Sequence, residues 1–215
     1  MFNTYSAIRR ALALVACSLT LTTSLDSSLI GYCAETHDET TSATNCAIVV
    51  GVRNYDPDQF QVLTNAEAES TAIFELLLRA GYSESVSRLI TNSSGAENAQ
   101  QIPSRTNILR ELEQACLQLA PNDKLVFAFG GYGVQATEGK FYLCPLDADL
   151  DDIETLIPID RIYELIGKCR IEHKLIVIDA MHGNTLADSF SPGISGALKF
   201  QLPKLPRPPA NTAVS

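Results

Sequence analysis

Four short apolar segments lie along the chain between residues 46 and 179. The most apolar of them contains residues 175–178, four consecutive Leu, Ile and Val residues without polar alternation. A run of this kind is typical of a parallel strand that is covered on both faces. The sequence therefore predicts four strands, at residues 46–52, 86–91, 124–129 and 174–179.

Apolar residues recur at helical spacing in the segments that connect these strands. The first predicted helix stops at Gly81 and presents Ile73, Leu76, Leu77 and Ala80. The second follows Pro103 and presents Ile108, Leu112, Ala115, Cys116 and Leu119, and a third spans residues 160–169. Residues 92–101 are polar and predict a loop, and residues 138–140 predict a hairpin turn. Strands that alternate with helices indicate a mostly parallel sheet with right-handed crossovers and helices on both faces.

Two of the predicted strands run directly into short segments that contain glycine. The strand at 174–179 continues into Ala180-Met181-His182-Gly183, and the strand at 124–129 continues into Gly130-Gly131-Tyr132-Gly133. Ligands bind beyond the carboxyl ends of parallel strands, so these two segments are where we expect the chemistry of the protein. Tyr132 and Met181 stand 49 positions apart.

This arrangement resembles the caspase and metacaspase clan of peptidases, most closely its bacterial caspase-domain proteins. In that family the first segment usually reads Phe-Ser-Gly-His-Gly, and the second reads Asp-Ala-Cys or Asp-Ser-Cys. Further similar segments are residues 47–55, 65–69, 106–108, 133–135 and 142–149. The resemblance covers about residues 46–190 and implies a three-layer α/β/α sandwich with strand order 2-1-3-4. The C-terminal strands that follow in caspase domains are expected to be missing here.

The resemblance implies a catalytic cysteine at position 181 and a catalytic histidine at position 132, and both are absent. Met181 carries a thioether with no proton to lose, and Tyr132 offers only a phenol, a group that is a poor base at neutral pH because its reference pKa is about 10. The sequence therefore predicts a proteolytically inactive protein that acts as a binding or interaction module. One alternative is a cysteine endopeptidase that uses another thiol, such as Cys46, Cys116 or Cys144. Another is a truncated remnant without function.

Residues close to Tyr132 and Met181 in the sequence match positions that line a substrate pocket in the family. In metacaspase-like members, an acid two residues before the cysteine lines a pocket for Arg or Lys. Asp179 holds the matching position in this chain. Gly130 stands where the family often has serine, and Gly131 follows it, so the pocket is expected to be partly dismantled. The acidic run 147–154 departs from the calcium-binding loop pattern at its sixth and twelfth positions, which are Asp152 and Pro158. No metal or cofactor is expected.

Composition and the first residues bear on location and partners. The chain has 215 residues, 46% of them hydrophobic, a net charge of −9 and a pI of about 4.8, which argues against nucleic acid as a partner. Arg9 and Arg10 precede the uncharged stretch 11–25, which is shorter than the roughly 18 residues of a membrane span. Residues 1–25 therefore predict an export signal or, if Cys17 is lipidated, a lipoprotein signal, and an uncleaved anchor stays open. The protein is expected in the periplasm or at the cell surface.

The remaining segments complete the predicted domain organisation. Residues 26–45 are rich in Ser, Thr, Asp and Glu and predict a flexible lead-in to a caspase-like domain at 46–190. Residues 191–215 predict a proline-rich tail. Because no further strand is expected, the strand between Lys174 and Asp179 would expose an unpaired edge. We therefore expect this edge to pair with another chain, either by self-association or by adding a partner's strand.

Overall fold

The computed structural model describes residues 43–136, 139–182 and 206–215. Thr44–Ser215 form one compact unit. The whole predicted signal, with the possible lipidation site Cys17, lies outside the described residues, as do most of the lead-in and the first part of the tail. In the described ranges, no helix has the length and apolarity needed to cross a membrane.

The unit is built from seven strands and four helices in its described part. The strands are β1 Cys46–Gly51, β2 Arg88–Thr91, β3 Lys124–Gln135, β4 Phe141–Cys144, β5 Ile157–Pro158, β6 His173–His182 and β7 Thr212–Val214. The helices are α1 Ala66–Arg79, α2 Asn92–Glu97, α3 Arg105–Gln118 and α4 Ile159–Lys168.

All seven strands belong to one mixed sheet. Its parallel part has the order β2-β1-β3-β6-β7, and β4 and β5 add antiparallel pairs beside the second half of β3. The predicted fourth strand is β6, so the predicted order 2-1-3-4 and the mostly parallel α/β fold are confirmed. The central position of β3 explains its burial, because strands cover both of its edges and helices cover its faces.

Alternate residues of the central strands face two different layers, as the strand period of two requires. Ile48 and Val50 of β1 share the main apolar cluster with Ile108 of α3 and Ile162 of α4. Gly51, the residue after Val50, faces the other layer. A Cβ atom at this position would lie 2.7 Å from the Cβ of Ser70 in α1. Helices therefore cover both faces of the sheet, which gives the predicted three-layer sandwich.

The prediction of a loop at residues 92–101 is wrong, because α2 and a short 3₁₀ turn, Ala99–Gln101, occupy it. The signal that starts α2 comes from residues close together in the sequence. The hydroxyl of Thr91 accepts from the Ser94 amide, and the hydroxyl of Ser94 accepts from the Thr91 amide. This is a capping box in which serine takes the place that Glu or Gln usually holds. Polar composition alone does not distinguish such a capped helix from a loop.

The expectation that no strand follows β6 and that its outer edge is unpaired is wrong, because one short strand covers part of this edge. Strand β7 pairs in parallel with β6, with Lys174 opposite Thr212 and Ile176 opposite Val214. The Ser215 amide donates to the Ile176 carbonyl and the Ile178 amide donates to the Ser215 carbonyl, both at 2.9 Å. The prolines of the tail stop at Pro209, so none of them falls within the strand. Self-association through this edge stays a prediction, and it would have to displace β7.

Four cysteines lie in this domain, which allows three pairings by sequence alone, and the described residues contain one disulfide. Cys116 of α3 is bonded to Cys169, the residue that follows α4, and the two Cα atoms are 4.7 Å apart. Cys46 and Cys144 are free and buried. The disulfide therefore ties together the two helices that cover one face of the sheet.

We predict that removing this disulfide with Cys116→Ala and Cys169→Ala lowers the free energy of unfolding by about 4 kcal/mol. The estimate follows from the chain entropy that a crosslink of sequence separation 53 removes from the unfolded state. Urea denaturation of the wild-type and variant proteins, with and without a reducing agent, measures it. The reducing agent should lower only the wild-type midpoint, and an equal shift in both proteins would contradict the assignment.

Candidate functional site

The parallel pairing of β3 with β6 places the predicted site residues side by side. Gly130 is the register partner of Asp179, and Tyr132 is the register partner of Met181. Partners in a parallel pair lie about 4.8 Å apart and their side chains point to the same face of the sheet. These four residues therefore form one patch at the carboxyl ends of the two strands, while Gly131 belongs to the opposite face.

Tyr132 and Met181 differ sharply in exposure. Met181 is 57% exposed, whereas Tyr132 is 7% exposed. The ring of Tyr132 packs against the rings of Tyr55 and Phe60, with both pairs of ring centroids 5.2 Å apart. Tyr55 and Phe60 also contact each other, at 4.8 Å. Tyr132 is thus held in an aromatic cluster, and the thioether beside it is open to solvent.

The hydroxyl group of Tyr55 bridges two strands at this cluster. It accepts a hydrogen bond from the Tyr132 amide and donates one to the Cys144 carbonyl, each at 2.9 Å. Tyr132 and Cys144 are register partners at the end of the β3–β4 ladder, so the hydroxyl connects them there. Burial raises the pKa of Tyr55 well above its usual value, which keeps its proton available for this bond.

Two glycines make room for neighbouring hydroxyl groups. A Cβ atom at Gly131 would lie 2.6 Å from the Tyr55 hydroxyl and 3.0 Å from the Phe129 ring. A Cβ atom at Gly130 would lie 3.0 Å from Oγ of Ser70, which donates to the Val50 carbonyl. Gly131 therefore permits the Tyr55 bridge, and Ser70 already fills the space beside the position where the family often has serine.

Two carboxylates give this end of the sheet a negative character. Burial raises the pKa of Asp179, and burial together with the charge of Asp179 raises the pKa of Glu69 in α1. Loss of water disfavours the charged form of both carboxylates, and for Glu69 the neighbouring negative charge adds to this effect. The pair favours a cationic group nearby. In the described part of the chain, no three His, Cys, Asp or Glu side chains are grouped so that they could hold a metal ion.

The acidic run that suggested a calcium loop serves the local backbone instead. Asp147 accepts from the Arg105 amide, and Asp152 accepts from the Glu154 amide. Asp149 accepts from the Gln59 side chain and from the Asp151 amide. Carboxylates that accept backbone amides in this way stabilise turns and helix starts.

The alternative thiols are not placed for nucleophilic attack. Cys46 is fully buried, its Sγ donates to the Val86 carbonyl, and burial raises its pKa to about 12. Burial also raises the pKa of Cys144 to about 12, and Cys116 is consumed in the disulfide. A thiolate is the reactive form of cysteine, so none of these residues offers one at neutral pH.

Sequence reasoning missed Tyr55, Phe60, Ser70 and Glu69 as parts of this site. Tyr55 and Glu69 lie in segments that resemble the family, but neither carries a local signal for its contact. Each contact joins residues far apart in the chain, and it exists only because β1 and α1 pack beside β3 and β6. A three-dimensional arrangement is therefore needed to find them.

The parallel sheet, its antiparallel β4–β5 extension and its helices on both faces define a caspase-like α/β sandwich. A family model described as "Caspase domain" matches residues 44–204, and the chain belongs to this family. It is 31% identical over 110 residues to metacaspase-1 of Cryptococcus neoformans var. neoformans serotype D (strain B-3501A). That match covers 47% of this chain and 22% of the metacaspase, so the chain spans about a fifth of that relative.

A solved structure supports the same fold. Protein GSU0716 from Geobacter sulfurreducens superposes with a TM-score of 0.52 at 16% sequence identity. The superposition covers 68% of this chain and 53% of that protein. At this identity the likeness concerns the fold alone.

We predict that Tyr55→Phe lowers the free energy of unfolding by about 1–3 kcal/mol, because it leaves a buried amide and a buried carbonyl without their bridge. The matched control is Tyr132→Phe in the same aromatic cluster. In the described part of the chain the Tyr132 hydroxyl forms no hydrogen bond, so its loss should cost much less. Thermal and urea denaturation measure both variants. Equal destabilisation by the two substitutions would contradict the bridging role of Tyr55.

Proposed function

We propose that this protein is an exported, non-catalytic member of the caspase-domain family that binds a polypeptide instead of cleaving it. One observation carries the proposal. Met181 and Tyr132 are register partners at the ends of β6 and β3, where the family resemblance implies the catalytic cysteine and histidine. We infer that these two residues occupy the degenerate catalytic positions.

Peptide cleavage by this family type needs a thiolate that attacks the carbonyl and an imidazole that protonates the leaving amine. A thioether does not form an acyl intermediate that water can hydrolyse. The phenol of Tyr132 is buried among aromatic rings, where it has a structural role. In a serine protease, losing either the nucleophile or the base costs on the order of 10⁶ in turnover. The absence of both supports an inactive protein.

The alternative function is a cysteine endopeptidase that uses a different thiol, and family membership is what favours it. The burial of Cys46 and Cys144 and the disulfide of Cys116 speak against it. The second alternative, a remnant without function, is opposed by the continuous apolar core and by the ordered hydrogen bonds around Tyr55.

Two further observations support the binding role and the location. Asp179 stands two residues before the exposed Met181, and its charge reaches Glu69, so this pair of carboxylates would favour a basic side chain of a bound peptide. A disulfide between helices is typical of oxidising compartments, which agrees with the export signal predicted at residues 1–25. Nucleic acid is not an expected partner of an acidic chain.

We predict no measurable turnover of peptide substrates with Arg, Lys or Asp at the cleavage position, with or without calcium. Peptide hydrolysis by the purified protein, followed by fluorescence and by mass spectrometry, measures it. An active metacaspase assayed in parallel shows that the substrates and buffer are competent. Turnover that disappears in a Cys144→Ala or Cys116→Ala variant would identify the other thiol and overturn the proposal.

A further inference from the structure

The outer edge of β6 already holds an extended segment, and that segment shows what the edge accepts. Thr212–Val214 lie parallel to residues 174–176, and Ser215 continues the hydrogen bonds to Ile176 and Ile178. Upstream, Asn211 has a φ of 58°, which turns the chain after its prolines. The edge therefore binds its strand through main-chain bonds, the mode by which sheets receive added peptides.

Side chains of the segment divide into an anchoring set and an exposed set. Val214 packs against the main apolar cluster, whereas Ala213 and Ser215 are exposed. Pro209 would lie 3.5 Å from a Cβ atom at Gly167 of α4, so the prolines approach this helix closely. The alternation puts recognition on the positions of Thr212 and Val214, because these two side chains share one face of β7, they are partly buried, and Val214 contacts the apolar cluster.

The two edges of β6 are held very differently. Its inner edge pairs with β3 along the whole of His173–His182. Its outer edge pairs with a strand of three residues, and Val214 is only half-buried. Segments with few buried apolar contacts and short ladders open at lower free energy than the core of a domain. Strand β7 is thus the part of the sheet that can leave without breaking the candidate site.

We propose that the outer edge of β6 between Lys174 and Ile178 is an exchangeable peptide-binding site, which this chain occupies with its own residues 206–215. The ligand is an extended segment of a partner protein that adds in parallel. It carries β-branched residues at the positions of Thr212 and Val214 and a small residue between them. The inference deepens the proposed function by naming where the polypeptide binds and in which form.

The resident strand acts as a competitor for such a ligand. Because it is part of the same chain, its effective concentration at the edge is on the order of millimolar, as is usual for a tethered ligand. A free peptide must therefore bind weakly to the wild-type protein. It binds well when the resident strand is weakened, and this difference can be measured.

The test uses the full chain and a fluorescent peptide with the sequence of residues 206–215. Fluorescence anisotropy measures its binding to the wild-type protein and to the Val214→Asp variant, whose own strand loses its apolar anchor. We expect the peptide to bind the variant about tenfold more tightly or better, because the tethered competitor is weakened. The matched control is Ala213→Asp, which places the same charge on the exposed face and should leave binding as in the wild type.

Two modified peptides show whether the edge itself is the site. A peptide with Asp in place of Val214 should not bind. A peptide with an N-methyl group on the Ser215 amide should bind at least tenfold more weakly, since it cannot donate to the Ile176 carbonyl. Hydrogen exchange of the Ile178 amide should speed up in the Val214→Asp variant and slow again with peptide.

Absence of binding to a Val214→Asp protein that keeps its circular dichroism spectrum would overturn the inference, as would binding that N-methylation leaves unchanged. If Val214→Asp does not fold, Val214→Ala replaces it with the same expectations. Dimers that form through Val214 would show that the ligand is a second copy of this chain and would also contradict the partner assignment. The proposed lack of peptidase activity is measured separately, so either idea can fail alone.

Discussion

The parallel pairing of β3 with β6 is the interaction on which the rest of the structure depends. Strand β3 is paired on both sides, by β1 and β4 along one edge and by β6 along the other. Its pairing with β6 continues to Gly133 and His182, past Gly130, the last residue that pairs with β1. The carboxyl ends of β3 and β6 therefore extend together beyond the end of β1. A shift of one residue would send Tyr132 and Met181 to opposite faces. The arrangement of the candidate site therefore depends on the register between β3 and β6.

The residues around the ends of β3 and β6 have structural roles that do not depend on catalysis. Tyr132 contributes its ring to an aromatic cluster and its amide to the Tyr55 bridge. Gly131 is required by the close approach of the Tyr55 hydroxyl, whatever reaction takes place nearby. These contacts stabilise the strand ends independently of catalysis. If the nucleophile and the base are replaced, as we propose, the physical reasons for keeping the fold therefore remain.

Much of the fold could be predicted because its signals are local. Unalternated apolar runs and helical spacing located β1, β3, β6, α1, α3 and α4, and the family resemblance supplied their order. Strand β7 was missed because a few β-branched residues after a run of prolines are a weak signal, and only pairing with β6 makes them a strand. The contacts of Tyr55 and Ser70 with β3 were missed because they join distant segments.

The central claim is that positions 132 and 181 lie side by side on β3 and β6 and form a degenerate catalytic pair. The most direct test is the pH dependence of iodoacetamide alkylation at residue 181 in Met181→Cys, with and without Tyr132→His, followed by mass spectrometry on the peptide that carries this residue. The exposed thiol of the single variant should titrate near an ordinary pKa of about 8.5. A histidine at position 132 should lower that pKa by stabilising the thiolate, although peptide turnover should stay low. Identical alkylation profiles in the two variants would contradict the claim.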